Sequence, residues 1–168
     1  MERTLIIFKP DAVQRGLVGE ILTRFEKAGL KIVGMKMVRP STDEFFHHYE
    51  TIGKMVSRRG QEIFDMTLDY VGGGPVIMGV LEGVDAVAIV RKLRGDTEPK
   101  SALPGTISGD YAHVNYAHAD SNEAAIANLL HASGDSAEAK EEVAHWFNES
   151  ELHDYKTVHE YFTQPKKR

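Results

Sequence analysis

The segment "NLLHASGD" (128–135) delivers one histidine, His131, at the end of a short apolar run, and the carboxylate-rich stretch "SAEAKEEVAHWF" (136–147) follows at once. If that stretch is helical, Ala139, Val143 and Trp146 share a face at i, i+4 and i+7, and Glu142 borders it. An inward-leaning carboxylate is expensive to bury without a donor. The nearest donor is the imidazole one strand end away. A carboxylate that holds one ring nitrogen fixes the tautomer and leaves the other bare, which suits a phosphohistidine nucleophile or a general base. Alone, His131 would read as a structural residue bonded to a backbone carbonyl; Glu142 is what turns the reading toward chemistry.

Candidate anion-holding groups lie elsewhere in the chain. Lys9 sits in "FKPD" at the mouth of a predicted strand, where Pro10 stiffens the exit. Arg91 ends the apolar stripe "VDAVAIV", where it could equally be a snorkelling helix residue. Thr97 and the turn "PGTISGD" supply hydroxyl and backbone N–H donors of the kind that cradle phosphate oxygens. The formal net charge is −5 with mixed signs, so an anionic substrate must be held by a few placed cations rather than a general positive field. No basic stripe suits nucleic acid, and the terminal "PKKR" reads as a solvated tail.

Other chemistries are poorly served. There is no G-x-x-x-x-G-K-[ST] and no G-x-G-x-x-G, and "VGGGP" lacks the lysine of a phosphate-binding loop. With no cysteine, disulfides and thiolate zinc sites are excluded. His47 and His48 are adjacent and cannot jointly face one metal from a helix, and His113 and His118 read as exposed loop residues. The apolar start "TLIIF" is too short for a signal segment and no run reaches membrane-spanning length, so a cytoplasmic protein is expected.

The elements that must position these groups follow from periodicity. "TLIIF" reads as a buried strand, "GLVGEILTRFEKAGL" as a helix ended by Gly29, and "LKIVGMKMVRP" as a strand stopped by Pro40. "STDEFFHHYETIG" opens on cap residues and reads as helical, with a further short helix over "RGQEIFDMTLDYV". "VGGGPVIMGVLEG" turns into a third strand. "VDAVAIVRKLRGD" is a helix with Val84, Val87 and Ala88 on one face. A long irregular stretch then precedes the strand carrying His131. This is a βαββαβ plan: a ferredoxin-like α+β fold, an antiparallel sheet with helices on one face, a helical insert and an extended loop before the histidine strand. Residues 1–168 are expected to form one domain, with about 149–168 a C-terminal extension.

The blocks "ERTLIIFKPDAVQRGLVGEILTRFEKAGLKIVGMK", "GPVIMGVLEG", "PGTISGD", "NLLHASGD" and "EVAHWF" together resemble the nucleoside diphosphate kinases, across nearly the whole chain. The resemblance implies a ferredoxin-like fold and transfer of the γ-phosphoryl of a nucleoside triphosphate to a nucleoside diphosphate, in two half-reactions through a phosphohistidine. It makes His131 the nucleophile, Glu142 the carboxylate that orients it and Tyr49 a support for it. Lys9 would contact a phosphate and the ribose, Asn128 the ribose hydroxyl, and Arg91 and Thr97 the phosphates. Phe64, or alternatively Ile63, would stack on the base, and stacking alone accepts any base. Mg²⁺ would arrive with the nucleotide rather than in a protein cage. Symmetric homo-oligomers, commonly hexamers, are implied through the edge of "LKIVGMKMV".

Three features depart from the family pattern. The segment between Tyr49 and Pro75 is longer than usual. Ser108 stands where the family has an arginine that binds phosphate, leaving Arg94, Lys54 and Arg58 as open candidates for the missing cation. Residues 112–127 form an insertion, expected near subunit contacts, and "ASGD" replaces a Gly-Ser-Asp-Ser turn after the histidine. With a cation absent, a nucleotide-binding regulatory protein of the same fold stands as the alternative.

Overall fold

"TLIIF" has no polar alternation, and a strand without a polar side must be covered on both faces. The computed structural model describes residues 1–163; 164–168, which include the expected "PKKR" tail, lie outside the described residues. β1 (Glu2–Phe8) is an inner strand, antiparallel to β3 (Val76–Gly83) on one side and to the short β4 (Leu130–Ala132) on the other. β2 (Lys31–Val38) pairs antiparallel with β3, so the order is β2-β3-β1-β4. This is the expected ferredoxin-like arrangement. The register sets Ile7 opposite His131 and Phe8 opposite Leu130.

The helices cover both faces of the sheet, not one as expected. Ile6, Phe8 and Leu81 pack with Ile21 and Phe25 of α2 (Val18–Lys27) and with Val90 of α6 (Ala86–Arg94). Leu5, Ile7, Met78 and Val80 pack on the other face with Phe45, Phe64, Val71, Val143 and Trp146. Alternate β1 side chains thus feed two cores, each closed by helices. α1 (Pro10–Gln14) precedes α2, with Pro10 in its first turn, where a missing N–H costs nothing. The second core is built from α3 (Thr42–Phe46), a π-helical turn over His47–Ile52, α4 (Met55–Arg59), α5 (Gln61–Gly72) and α9 (Ser136–Trp146). Ser41 starts α3 with a full capping box to Glu44.

Two further expectations are corrected. Val84 and Ala88 do not form the inward face of α6: Val84 precedes the helix and is exposed, Ala88 is exposed, and Ala86, Val87 and Val90 are buried instead. Starting the helix at Ala86, after Asp85 in the left-handed region, rotates the apolar stripe. The stretch before β4 is not wholly irregular. It holds α7 (Ile107–Tyr111) and α8 (Tyr116–Ser121), capped by Thr106 and Asn115 side chains. α10 (Glu160–Thr163) ends the described residues. No helix among them is long and apolar enough to cross a membrane.

Candidate active site

Ala139, Val143 and Trp146 are buried on the inner face of α9, as the spacing predicts, and Glu142 is buried with them at 1% exposure. Asp135 caps this helix, accepting from the N–H groups of Ala137 and Glu138, which fixes where its first turn begins relative to β4. The result is a hydrogen bond of 2.8 Å between His131 Nε2 and Glu142 Oε1. The other carboxylate oxygen accepts from Ser133 Oγ at 2.6 Å, and that hydroxyl in turn accepts from Leu5 N–H at 3.2 Å. A carboxylate can only accept here, so Nε2 carries the ring proton and Nδ1 is left without one. Burial pushes the Glu142 carboxyl up, while His48 and the Ser133 hydrogen bond pull it down.

The π-helical turn brings two consecutive residues, His48 and Tyr49, into the interior behind His131. Trp146 Nε1 donates to His48 Nδ1 at 3.2 Å, so the contact of 3.6 Å between that nitrogen and Glu142 Oε1 carries no proton. Burial, then the neighbouring His131 ring, holds the His48 pKa well below the ordinary imidazole value. Both rings meet edge to face, 4.5 Å apart. The Tyr49 ring stands edge-on to His131 at 6.2 Å, and its buried hydroxyl has no hydrogen-bond partner among the described residues. Burial, followed by the Glu142 charge, pushes that phenol up.

Cations share the cleft with the imidazole. Lys9, at the end of β1, donates through Nζ to Asn128 Oδ1 at 2.7 Å, and Asn128 Nδ2 donates to the Thr97 carbonyl at 2.9 Å. Arg94, 7% exposed, donates through Nε to the Leu130 carbonyl at 3.0 Å and through Nη1 to Thr97 Oγ1 at 3.1 Å. Arg91 is exposed at the rim, one turn of α6 earlier. None of the three is ion-paired among the described residues. Burial and then the Arg94 charge push Lys9 down to about 8; burial and then Arg91 push Arg94 down to about 10. Burial, then Lys9 and Arg94, keep the His131 ring below its ordinary value, so the imidazole is neutral at pH 7.

Backbone conformation sets this geometry in two places. Gly95, at φ +84°, turns the chain out of α6, and any Cβ there would collide with Thr106 Oγ1. Leu129, at φ +69°, is a non-glycine residue in the left-handed region between Asn128 and His131. Its N–H donates to Asp11 Oδ2 and its carbonyl accepts from Lys9 N–H, so the strained residue is clamped from both sides.

These groups line a cleft of about 240 Å³. Lys9, Tyr49, Arg91, Thr97, Asn128, His131 and Glu142, all expected from the sequence, come together in it. Phe64 does not. It is 2% exposed, packed in the second core with its ring edge-on to Phe46 at 5.5 Å. Ile63 faces the cleft instead, beside Met66 and Thr67. The insertion contributes to the cleft: Tyr116, Ala119, Asp120, Ala124, Ala125 and Ile126 form one of its walls. Arg59 stacks on the Tyr116 ring at 5.1 Å and ties this wall to α4. Sequence reasoning missed Ser133 and assigned His48 no part in the site. The position of Ser133, two residues beyond His131 on the strand side, was the available signal.

Fold and site define an α+β protein with a carboxylate-held, neutral imidazole in a cationic cleft. The family model for nucleoside diphosphate kinase matches residues 2–152. A nucleoside diphosphate kinase of Pyrococcus furiosus is 44% identical over 168 residues, covering 100% of this chain and 96% of the relative. Among solved structures, a transition state mimic of nucleoside-diphosphate kinase from Borrelia burgdorferi with bound vanadate and ADP superposes with a TM-score of 0.93 at 37% identity, covering 96% of each chain. A halophilic nucleoside diphosphate kinase from Halobacterium salinarum in complex with CDP gives 0.81 at 36% identity, covering 96% of this chain and 97% of the other. The chain belongs to the nucleoside diphosphate kinase family, a family of phosphotransferases.

Proposed function

We propose that this protein moves the γ-phosphoryl of a nucleoside triphosphate to a nucleoside diphosphate in two half-reactions, through a phosphohistidine at His131. The observation that carries the reading is the Nε2–Glu142 hydrogen bond, which leaves Nδ1 as the free nucleophile in a cleft rich in unpaired cations. In the first half-reaction the Nδ1 lone pair attacks the γ-phosphorus, an N–P bond forms, and the bond to the β,γ-bridging oxygen breaks. The nucleoside diphosphate leaves with that electron pair. No proton needs to move: Nε2 keeps its hydrogen, and the positive charge that develops on the ring faces Glu142. The second half-reaction is the reverse, with a different diphosphate as acceptor.

Catalysis then consists of positioning and charge neutralisation, which a loose phosphoryl-transfer transition state requires above all. Lys9, Arg91 and Thr97 are assigned to the phosphates, and the unpartnered Tyr49 hydroxyl supports the nucleophile's side of the cleft. Asn128 holds Lys9 and the Thr97 loop in register and offers its amide at the ribose. Ile63 takes the apolar face of the base in place of Phe64. Magnesium is assigned to the nucleotide. Among the described residues, the one group of metal-ligand side chains within reach of each other is His48, His131 and Glu142. Its atoms are already engaged with Trp146, Ser133 and one another, and two imidazoles suit a hard, oxygen-seeking ion poorly. Exposed Met35 and Met37 on the edge strand β2 support self-association there, for which size-exclusion chromatography at 18.7 kDa per chain is the direct check.

Incubation with γ-labelled ATP and magnesium should leave an acid-labile, base-stable label on the protein. His131→Ala should take none, and labelling of that variant at the wild-type level would remove His131 from the mechanism.

A further inference from the structure

We infer that Arg94 binds the phosphoryl group in transfer, supplying the cation that position 108 does not; this rests on the phosphotransfer reading above. Ser108 is wholly buried on α7 and does not line the cleft, so the position offers nothing to an anion there. Of the three replacements open from the sequence, Lys54 turns its ammonium back onto the Thr51 carbonyl at 2.6 Å and does not line the cleft. Arg58 lines it but is exposed, and it donates to the Gly53 carbonyl. Arg94 is different in kind. It is buried, it lines the cleft, and among the described residues it has no carboxylate within ion-pair distance.

A guanidinium has five N–H donors in a fixed fork. Nε and Nη1 of Arg94 are directed to Leu130 and Thr97, and Nη2 makes no hydrogen bond among the described residues. Two anchored nitrogens immobilise the fork, and the carbonyl it grips belongs to the residue immediately before His131. The cation is therefore fixed relative to the nucleophile, as an arginine aimed at a planar array of phosphoryl oxygens must be. A second observation points to an anion independently. Lys9 and Arg94 are both buried with no carboxylate within ion-pair distance among the described residues, a costly arrangement unless something negative comes to sit between them.

The test compares wild type, Arg94→Gln and Arg94→Lys as full chains. Single-turnover phosphorylation of His131 by MgATP is measured alongside MgADP binding by calorimetry. Gln keeps an N–H donor for the Leu130 carbonyl and removes the charge. The expected result is a loss of roughly 30-fold or more in phosphorylation rate with the MgADP dissociation constant within about threefold of wild type. Lys should retain more of the rate than Gln, since it keeps the charge without the fork, and carries the test should the Gln variant not fold. A Gln rate within threefold of wild type, or a MgADP affinity that falls as far as the rate does, would overturn the inference and leave Arg94 a structural brace. Wild type that takes no label at His131 would instead overturn the proposed function, and this inference with it.

Discussion

Lys9 Nζ lies 2.7 Å from Asn128 Oδ1, across 119 residues of sequence, and that neutral amide is the sole hydrogen-bond acceptor of the ammonium among the described residues. Burial, and then the Arg94 charge, push Lys9 down to about 8, with the Asp11 carboxylate pulling the other way from beyond ion-pair distance. An arriving polyphosphate supplies the missing negative charge and raises that value. Nucleotide binding should therefore take up protons in alkaline solution: about 0.7 proton per site near pH 8.5, and close to none from this residue near pH 7. Calorimetric titration with MgADP in buffers of different ionisation enthalpy measures it directly, and Lys9→Met should abolish the uptake. The same sign governs folding. Between about 8 and the unfolded value of 10.5 the native state binds fewer protons than the unfolded one, so this group's contribution to stability improves as pH rises through that window.

Ile63 and Phe64 are neighbours on α5, one in the cleft wall and one in the core, and substitution should separate them. Ile63→Ala removes apolar surface from the cleft wall. It should raise the KM for nucleotide roughly fivefold, about 1 kcal/mol, with little change in melting temperature. Phe64→Ala empties a core position and should cost about 3–5 kcal/mol of stability. Steady-state kinetics and denaturant unfolding on both variants decide the matter. A Phe64→Ala protein of normal stability with a raised KM would return the base contact to Phe64.

That pair also marks where the sequence was legible and where it was not. The four strands, α2, α5 and α9 followed from apolar spacing. The Glu142–His131 pairing followed from one acidic residue on the border of an apolar helix face. Those are local patterns, and periodicity reads them well. Phe64 and Ile63 differ by one step on a helix, about 100°, and only the packing of α5 on the sheet settles which of the two turns inward. The short helices α1, α4, α7 and α8 have too few turns to show a period. The insertion became a cleft wall through contacts such as Arg59 with Tyr116, 57 residues apart, for which no local signal exists. Double-sided cover of the sheet was readable in "TLIIF", whose side chains are apolar on both faces.

Glu142→Gln should uncouple geometry from tautomer. The amide has almost the same shape, but its NH₂ can donate to the ring nitrogen that Glu142 now accepts from, or to neither partner well. A ring whose proton has moved to Nδ1 is no nucleophile. The rate of His131 phosphorylation should fall by up to about 10⁴-fold, the scale of loss when a catalytic imidazole is held in the wrong tautomer. MgADP binding should persist, because the cations are untouched. Ser133→Ala, which frees the second oxygen, should cost far less rate and leave Leu5 N–H without its acceptor. Nitrogen-15 shifts of the imidazole report the tautomer in each variant, and an unchanged ring in Glu142→Gln with full activity would detach the carboxylate from catalysis.

Ser108 provides the converse of the Arg94 experiment. If phosphate binding were limited by a missing positive charge, restoring an arginine at 108 would lower the KM or raise kcat, by up to about tenfold for 1.4 kcal/mol. With Arg94 already anchored at Leu130 and Thr97, no such gain is expected. The larger side chain must instead find room where Ser108 is fully enclosed, its hydroxyl unpartnered among the described residues and its neighbour Ile107 packed in the first core. Overpacking there should cost about 1–3 kcal/mol in stability. A cationic head that escapes toward the cleft would meet Arg94 as a like charge. Ser108→Arg should therefore melt earlier than wild type and show no improvement in KM or kcat. A clear improvement would mean that the cleft was short of a cation after all, and that Arg94 does not fill the place.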